Sequence, residues 1–193
     1  SEHSEQPMRD VGIQMLAAQP GESILEVGFG TGHCLVEFAR AVGTSGKVHG
    51  IDLSDVMTEE AHALLEQEGL SDRVELHCGD AAELPFEANS LDGIFTSFTL
   101  ELFDTPELPN VLAEWRRVLR PGGRLAVVAI SKEDKQGFVI KSYEWTHKLF
   151  PNLMDCRPIY VSRALEAAQF EIADKKIEHM WVPVEIVLGI KPA

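Results

Sequence analysis

The run ILEVGFGTGH at 24–33 constrains this chain more than any other stretch. An apolar strand leads straight into three glycines at alternate positions and then into a helix over 33–42. Glycine at 28, 30 and 32 lets the backbone turn steeply and lets a ligand lie against bare main chain, while the helix offers N–H groups that have no partner within it. That is a site for a nucleotide-type ligand. The dinucleotide fingerprint G-x-G-x-x-G requires glycine at 33, where this chain has His33. Two places before the first glycine stands Glu26, which repels a pyrophosphate and favours an ammonium group, reached directly or through a water. The pattern therefore points away from a dinucleotide and toward a ligand with a cationic amino-acid part.

Two further acids follow in order. The run 47–53 reads as a second buried strand ending in Asp52, about 20 residues past the glycine turn, a reach suited to a carboxylate that accepts both hydroxyls of a ribose. The run 73–81 reads as a third strand ending in Gly79-Asp80-Ala81, where a carboxylate can accept a hydrogen bond from an exocyclic amine. Taken singly, either aspartate is as well explained as a helix cap or turn residue. The information lies in the succession of glycine turn, acid after the second strand and acid after the third.

The pattern E-x-G-x-G-x-G at 26–32 resembles the first motif of class I S-adenosylmethionine-dependent methyltransferases. The similarity extends over 23–191 and is nearest the ubiquinone/menaquinone-biosynthesis branch, in GDAAELPF (79–86), SFTLELF (97–103), LRPGGRL (119–125) and CRPIYVSRALEAAQF (156–170). The resemblance implies S-adenosylmethionine as cofactor and S-adenosylhomocysteine as product. It implies a cofactor site made by Glu26, Gly28, Phe29, Gly30, Gly32, Asp52, Leu53, Asp80, Ala81, Ser97 and Phe98. It further implies methyl transfer by SN2 displacement to a small-molecule acceptor, with quinone-like and aromatic compounds as the candidate classes.

The rest of the chain reads as an alternation of strands and helices. A helix is predicted over 8–18, with further helices at 33–42, 55–68 and 107–119, a fourth strand over 91–97, and a tight turn at 119–125 into a fifth strand over 125–130. This predicts one α/β domain over 1–193 with a Rossmann-like, doubly wound sheet of seven mostly parallel strands. Past the fifth strand come a helix over 161–169 and two strands over 170–179 and 181–190, the last one antiparallel. The segment 131–158 breaks the rhythm and carries a predicted helix over 137–150 with Phe138, Tyr143, Trp145, His147 and Phe150, read as a cap over the active-site end.

In such sheets ligands bind beyond the carboxyl ends of the strands, so Phe98 and Leu102, after the fourth strand, are expected to wall the acceptor site. His147 is the candidate base if the acceptor arrives protonated. Tyr143 and Tyr160 are candidates for orienting an acceptor, and Arg157 for pairing with a phenolate or carboxylate; each has a plain packing role as its alternative.

Seventeen basic residues against thirty-one acidic ones give a net charge of -14, spread along the chain. Such a field repels a polyanion, so a nucleic-acid substrate is not expected and a small neutral or cationic acceptor is. No apolar run of membrane-spanning length and no leader-like start is seen, from which a cytoplasmic monomer or homodimer is expected. Cys34, Cys78 and Cys156 have no metal-binding spacing; the first two read as small buried residues, with a thiolate pair for a soft metalloid as the alternative, and no resident metal is expected. A non-catalytic S-adenosylmethionine-binding sensor or regulatory subunit is the other reading of the cofactor half. A nicotinamide-dependent oxidoreductase is disfavoured by His33 and Glu26.

Overall fold

A computed structural model describes residues 2–132, 158–180 and 182–193. Among these, seven strands form one sheet: β1 (Ser23–Val27), β2 (Lys47–Asp52), β3 (Val74–Cys78), β4 (Leu91–Ser97), β5 (Leu119–Ile130), β6 (Glu171–His179) and β7 (Pro183–Ile190). Their order is β3-β2-β1-β4-β5-β7-β6. All neighbours up to β5 run parallel, and β7 runs antiparallel to both β5 and β6. The strand order reverses between β1 and β4, which places a crevice at the carboxyl ends of those two strands.

Helices cover both faces. α1 (Glu2–Leu16), α2 (His33–Val42) and α3 (Asp55–Gln67) close one core through Leu16, Leu35, Phe38, Ala61 and Leu65. α4 (Leu108–Val118) and α5 (Val161–Ala167) close the other through Val111, Trp115 and Leu165. In α4 the buried positions Leu108, Val111, Leu112 and Trp115 fall at the spacing of one helical face, and the Trp115 indole N–H donates to the Ala81 carbonyl at 2.9 Å. That bond ties α4 to the loop that follows β3.

The alternation of strand and helix, and the antiparallel last strand, match the sequence expectation. Three differences have physical reasons. The first helix begins at Glu2 and ends at Leu16, because its polar first half is held by side-chain pairs at helical spacing that an apolar-periodicity reading does not register: Arg9 with Glu5 at 2.6 Å and Gln6 with Asp10 at 2.8 Å. The stretch predicted as a turn at 119–125 is instead the first part of β5: Leu119 pairs with Leu91, and Gly122 and Gly123 exchange main-chain bonds with Lys191 at 2.8 and 2.9 Å. Finally, Cys78 is exposed, its thiol donating to Asp55 Oδ1 at 2.9 Å, whereas Cys34 is buried as expected.

The predicted helix over 137–150 lies outside the described residues, as does Cys156. The flanks of that segment meet: Lys132 N–H donates to the Ile159 carbonyl and Ile159 N–H to the Ile130 carbonyl, both at 3.0 Å. Glu185 on β7, fully buried, clasps this junction by accepting from Ser131 Oγ at 3.1 Å, from the Val161 and Ser162 N–H groups at 3.0 Å and from the Ser162 hydroxyl. Burial alone raises a carboxyl's pKa, but these hydrogen bonds and Lys175 at 3.2 Å outweigh it and hold Glu185 below its ordinary value.

Candidate active site

The site is assembled where β1, β2, β3 and β4 end. After Val27 the chain passes through Gly28, Gly30 and Gly32, all with positive φ, before α2 starts at His33. Two of these positions are set by their surroundings. A Cβ on Gly28 would overlap the Thr99 side chain, so the β1 turn and the loop after β4 pack with no room between them. A Cβ on Gly30 would meet nothing within 4 Å; it would project into open space beside the turn, which is the room a ligand lying on the backbone needs.

Three carboxylates were expected here. Glu26, next to last in β1, is 2% exposed, with the Cys34 thiol hydrogen-bonded to it and with Oε2 buried and unpartnered among the described residues. Burial pushes its pKa well up, against the pull of Arg9. A buried carboxylate oxygen without a donor calls for an external cation or N–H donor. Asp52 accepts from the Gly30 N–H at 3.0 Å through Oδ2 and from the Ser54 N–H at 3.0 Å through Oδ1, so it fastens the glycine turn to β2 while retaining lone pairs for further donors. Asp80 is exposed and accepts from the Ala82 N–H at 2.8 Å, forming a local turn.

A cavity of about 450 Å³ opens against these strand ends. It is lined by Gly28, Gly30, Asp52, Leu53, Ala81, Ser97, Phe98 and Leu102, which brings most of the predicted site residues together. A recess of about 160 Å³ beside it is lined by Glu26, Phe29 and Cys34, and shares Gly28, Gly30 and Ser97 with the cavity. The Phe29 ring itself is buried against Gly50 in the core. Gly32 and Asp80 line neither space, although Gly79 and Ala81 flank Asp80 on the cavity wall. Tyr160 also lines neither: its ring lies under the Arg163 guanidinium, 4.5 Å from centroid to charge. His147, Tyr143 and Arg157 lie outside the described residues.

The loop after β4 forms another wall of the cavity. Phe98 has φ 53, rare for a bulky residue, and donates its N–H to the Val128 carbonyl at 2.8 Å. Leu53 and Leu102 are 73% and 51% exposed, bare apolar side chains at a cavity mouth. Glu101, unforeseen, is buried under this loop; its Oε1 accepts the Ile130 N–H at 3.1 Å, and burial lifts its pKa to about 7. Glu5 and Arg9 of α1 were also missed and line the cavity. A polar first helix gives no sign that it folds back over the glycine turn.

The residues fit the cofactor expected from the sequence. A cavity of this volume suits a nucleoside-sized ligand. Gly28 and Gly30 give it a stretch of bare backbone, Asp52 offers it a carboxylate, and the orphaned Glu26 oxygen adjoins it in the recess. We expect Asp52→Ala to weaken cofactor binding by about 1.5–3 kcal/mol, the range for a hydrogen bond to a charged group, with part of the loss coming through the freed Gly30 N–H. Calorimetry on the purified variant measures this, and unchanged affinity removes Asp52 from the site.

A doubly wound sheet with one antiparallel strand, a glycine turn after β1 and acids after β2 and β3 defines the class I methyltransferase architecture. The methyltransferase-domain family matches residues 24–123, slightly more than half of the chain, and the chain belongs to that family. It is similar to the demethylmenaquinone methyltransferase of Bacillus cereus strain B4264, 29% identical over 204 aligned residues covering 93% of this chain and 82% of that protein. The corresponding enzyme of Desulfitobacterium hafniense strain Y51 is 32% identical over 143 residues, covering 74% of this chain and 56% of that one. Among solved structures, a SAM-dependent methyltransferase from Aquifex aeolicus shares the fold with a TM-score of 0.70 at 24% identity, covering 95% of this chain and 88% of that one.

Proposed function

We propose that this enzyme methylates a small, apolar acceptor of aromatic or quinone-like character. S-adenosylmethionine is the donor. When bound, it supplies a methyl group on a positively charged sulfur, so the leaving group is already activated. The chain's own residues then have three tasks. Glu26 and the glycine turn hold the amino-acid end, Asp52 accepts from the ribose hydroxyls, and the 79–81 backbone borders the base. The loop after β4 keeps water from the acceptor and aligns it, which is where an alkylation of this kind gains most of its rate.

The observation that carries the acceptor class is the apolar mouth: Leu53, Phe98, Leu102 and Phe103 line the cavity in a protein whose net charge of -14 disfavours anionic substrates. The demethylmenaquinone methyltransferases it resembles support the same reading. No helix among the described residues is long and apolar enough to cross a membrane.

Two measurements test the proposal. In calorimetry, S-adenosylmethionine and S-adenosylhomocysteine should bind with micromolar affinity while NAD gives no heat; NAD binding without S-adenosylmethionine binding refutes the cofactor. A screen of aromatic, quinone-like and thiol acceptors with methyl-labelled donor should label the first two classes. Label on thiols alone refutes the acceptor class.

A further inference from the structure

On the sheet face that packs against α4, the two outer strands carry a second group of chemistry-bearing side chains. His49 in β2 pairs in register with Glu75 in β3, so the two project from the same face, and His77, two residues along β3, joins them. His49 Nδ1 lies 3.8 Å from Glu75 Oε2, and His77 Nε2 lies 3.8 Å from Glu75 Oε1. One donor atom from each of the three residues falls within 4.8 Å of the others.

Both imidazole nitrogens are shut off from solvent, and neither has a hydrogen-bond partner. Buried ring nitrogens are ordinarily satisfied, so two orphans converging on one carboxylate call for a shared ligand. Phe86 packs edge-on against both rings, with centroids at 4.9 and 5.4 Å, and shields them on one side. Glu75 is exposed and leaves another side open. Lys47, two residues before His49 on β2, turns its ammonium to the Asp72 carbonyl at 3.5 Å.

We propose that His49, Glu75 and His77 form a binding site for one divalent transition-metal ion of the zinc type, which staples the edge strand β3 to β2. Two imidazoles and one carboxylate make an N2O donor set suited to zinc, with a solvent molecule completing the tetrahedron; calcium and magnesium require more oxygens than this site offers. Metal–ligand bonds of about 2.0–2.1 Å put tetrahedral donors about 3.3 Å apart, so one donor atom from each residue, now within 4.8 Å of the others, has to draw in by up to about 1.5 Å on binding. None of the three residues lines the cofactor cavity, so metal binding and methyl transfer are separable.

The test uses the tag-free full chain, stripped with EDTA and titrated with zinc by calorimetry. We expect one ion per chain, and a Tm raised by about 5–10 °C at a hundredfold excess of zinc over Kd. His77→Ala and Glu75→Gln, at the more open positions, should keep the metal-free Tm of the parent and lose zinc affinity by at least about a hundredfold. Cobalt substitution should give visible bands without thiolate-to-cobalt charge transfer. Undiminished zinc binding in both variants, a thiolate band, or no binding by the parent overturns the site.

Discussion

A Glu26→Gln variant should melt higher than the parent at pH 8 and bind S-adenosylmethionine at least about thirtyfold more weakly. Both effects have one origin. The carboxyl is buried with an unpartnered oxygen, so in the empty protein it either keeps a proton or carries a charge that Arg9 and the Cys34 thiol offset only in part, and both are costly. The isosteric amide removes that cost, which we place at about 1–3 kcal/mol, or about 2–8 °C in Tm for a chain of this size. It also removes the charge an ammonium group would meet, worth about 2 kcal/mol. The pH dependence has a definite sign. Because the folded pKa is raised, the folded state binds the extra proton; the stability this group contributes is complete below its unfolded value near 4.3 and declines as pH rises through the folded one. Parent and variant should therefore melt alike in acid and diverge as pH increases. A variant that melts lower than the parent at pH 8, or that binds the cofactor as well, would falsify the role given to Glu26.

Gly28→Ala should be strongly destabilising for a change of one methyl group. The residue has φ 70, and an added Cβ would overlap the Thr99 hydroxyl and lie 2.5 Å from Thr99 Cγ2 and 2.8 Å from its Cβ. Left-handed backbone costs a side-chain-bearing residue about 1–2 kcal/mol, and the crowding adds about 1–3 kcal/mol. Together these predict a Tm lowered by about 5–15 °C. Thr99 cannot yield freely, because its hydroxyl donates to the Ser97 carbonyl at 3.0 Å and Phe98 beside it is already in a rare conformation. In the double variant Gly28→Ala/Thr99→Gly the crowding is gone and the backbone strain remains, so about half of the loss should return. Thermal melts of the three proteins decide this; a single variant as stable as the parent means the two loops are not in contact.

The cofactor half was legible from sequence because its signals are local. A parallel strand buried on both faces reads as an apolar run, and Asp52 and the glycines follow such runs directly. What escaped reading depends on contacts between distant segments. Glu185 and Glu101 sit in strand and loop sequence that says nothing of their burial, and only the fold brings Ser131, Val161 and Ser162 to one and Ile130 to the other. Arg9 was hidden for the same reason, since a polar helix carries no mark of the cavity it borders. The 119–123 stretch misled because Pro-Gly-Gly normally turns the chain; here Gly122, at φ 77, bulges instead, and Lys191 supplies the pairing. His49, Glu75 and His77 alternate along their strands as exposed residues would, and their convergence depends on the β2–β3 register.

The junction clasped by Glu185 has a consequence for how such an enzyme is retooled. The ends at 130–132 and 158–162 are fixed to each other by main-chain bonds and to β7 by Glu185, whose donors among the described residues come from Ser131, Val161, Ser162 and Lys175. An excursion between two fixed posts is cheap to resize, because doubling its length adds only about 0.6 kcal/mol of closure entropy. A segment of different length or chemistry grafted between 132 and 158 is therefore expected to leave the junction of β5 and α5 in place, and a thermal melt of such a graft would measure how independent the two posts are of what joins them.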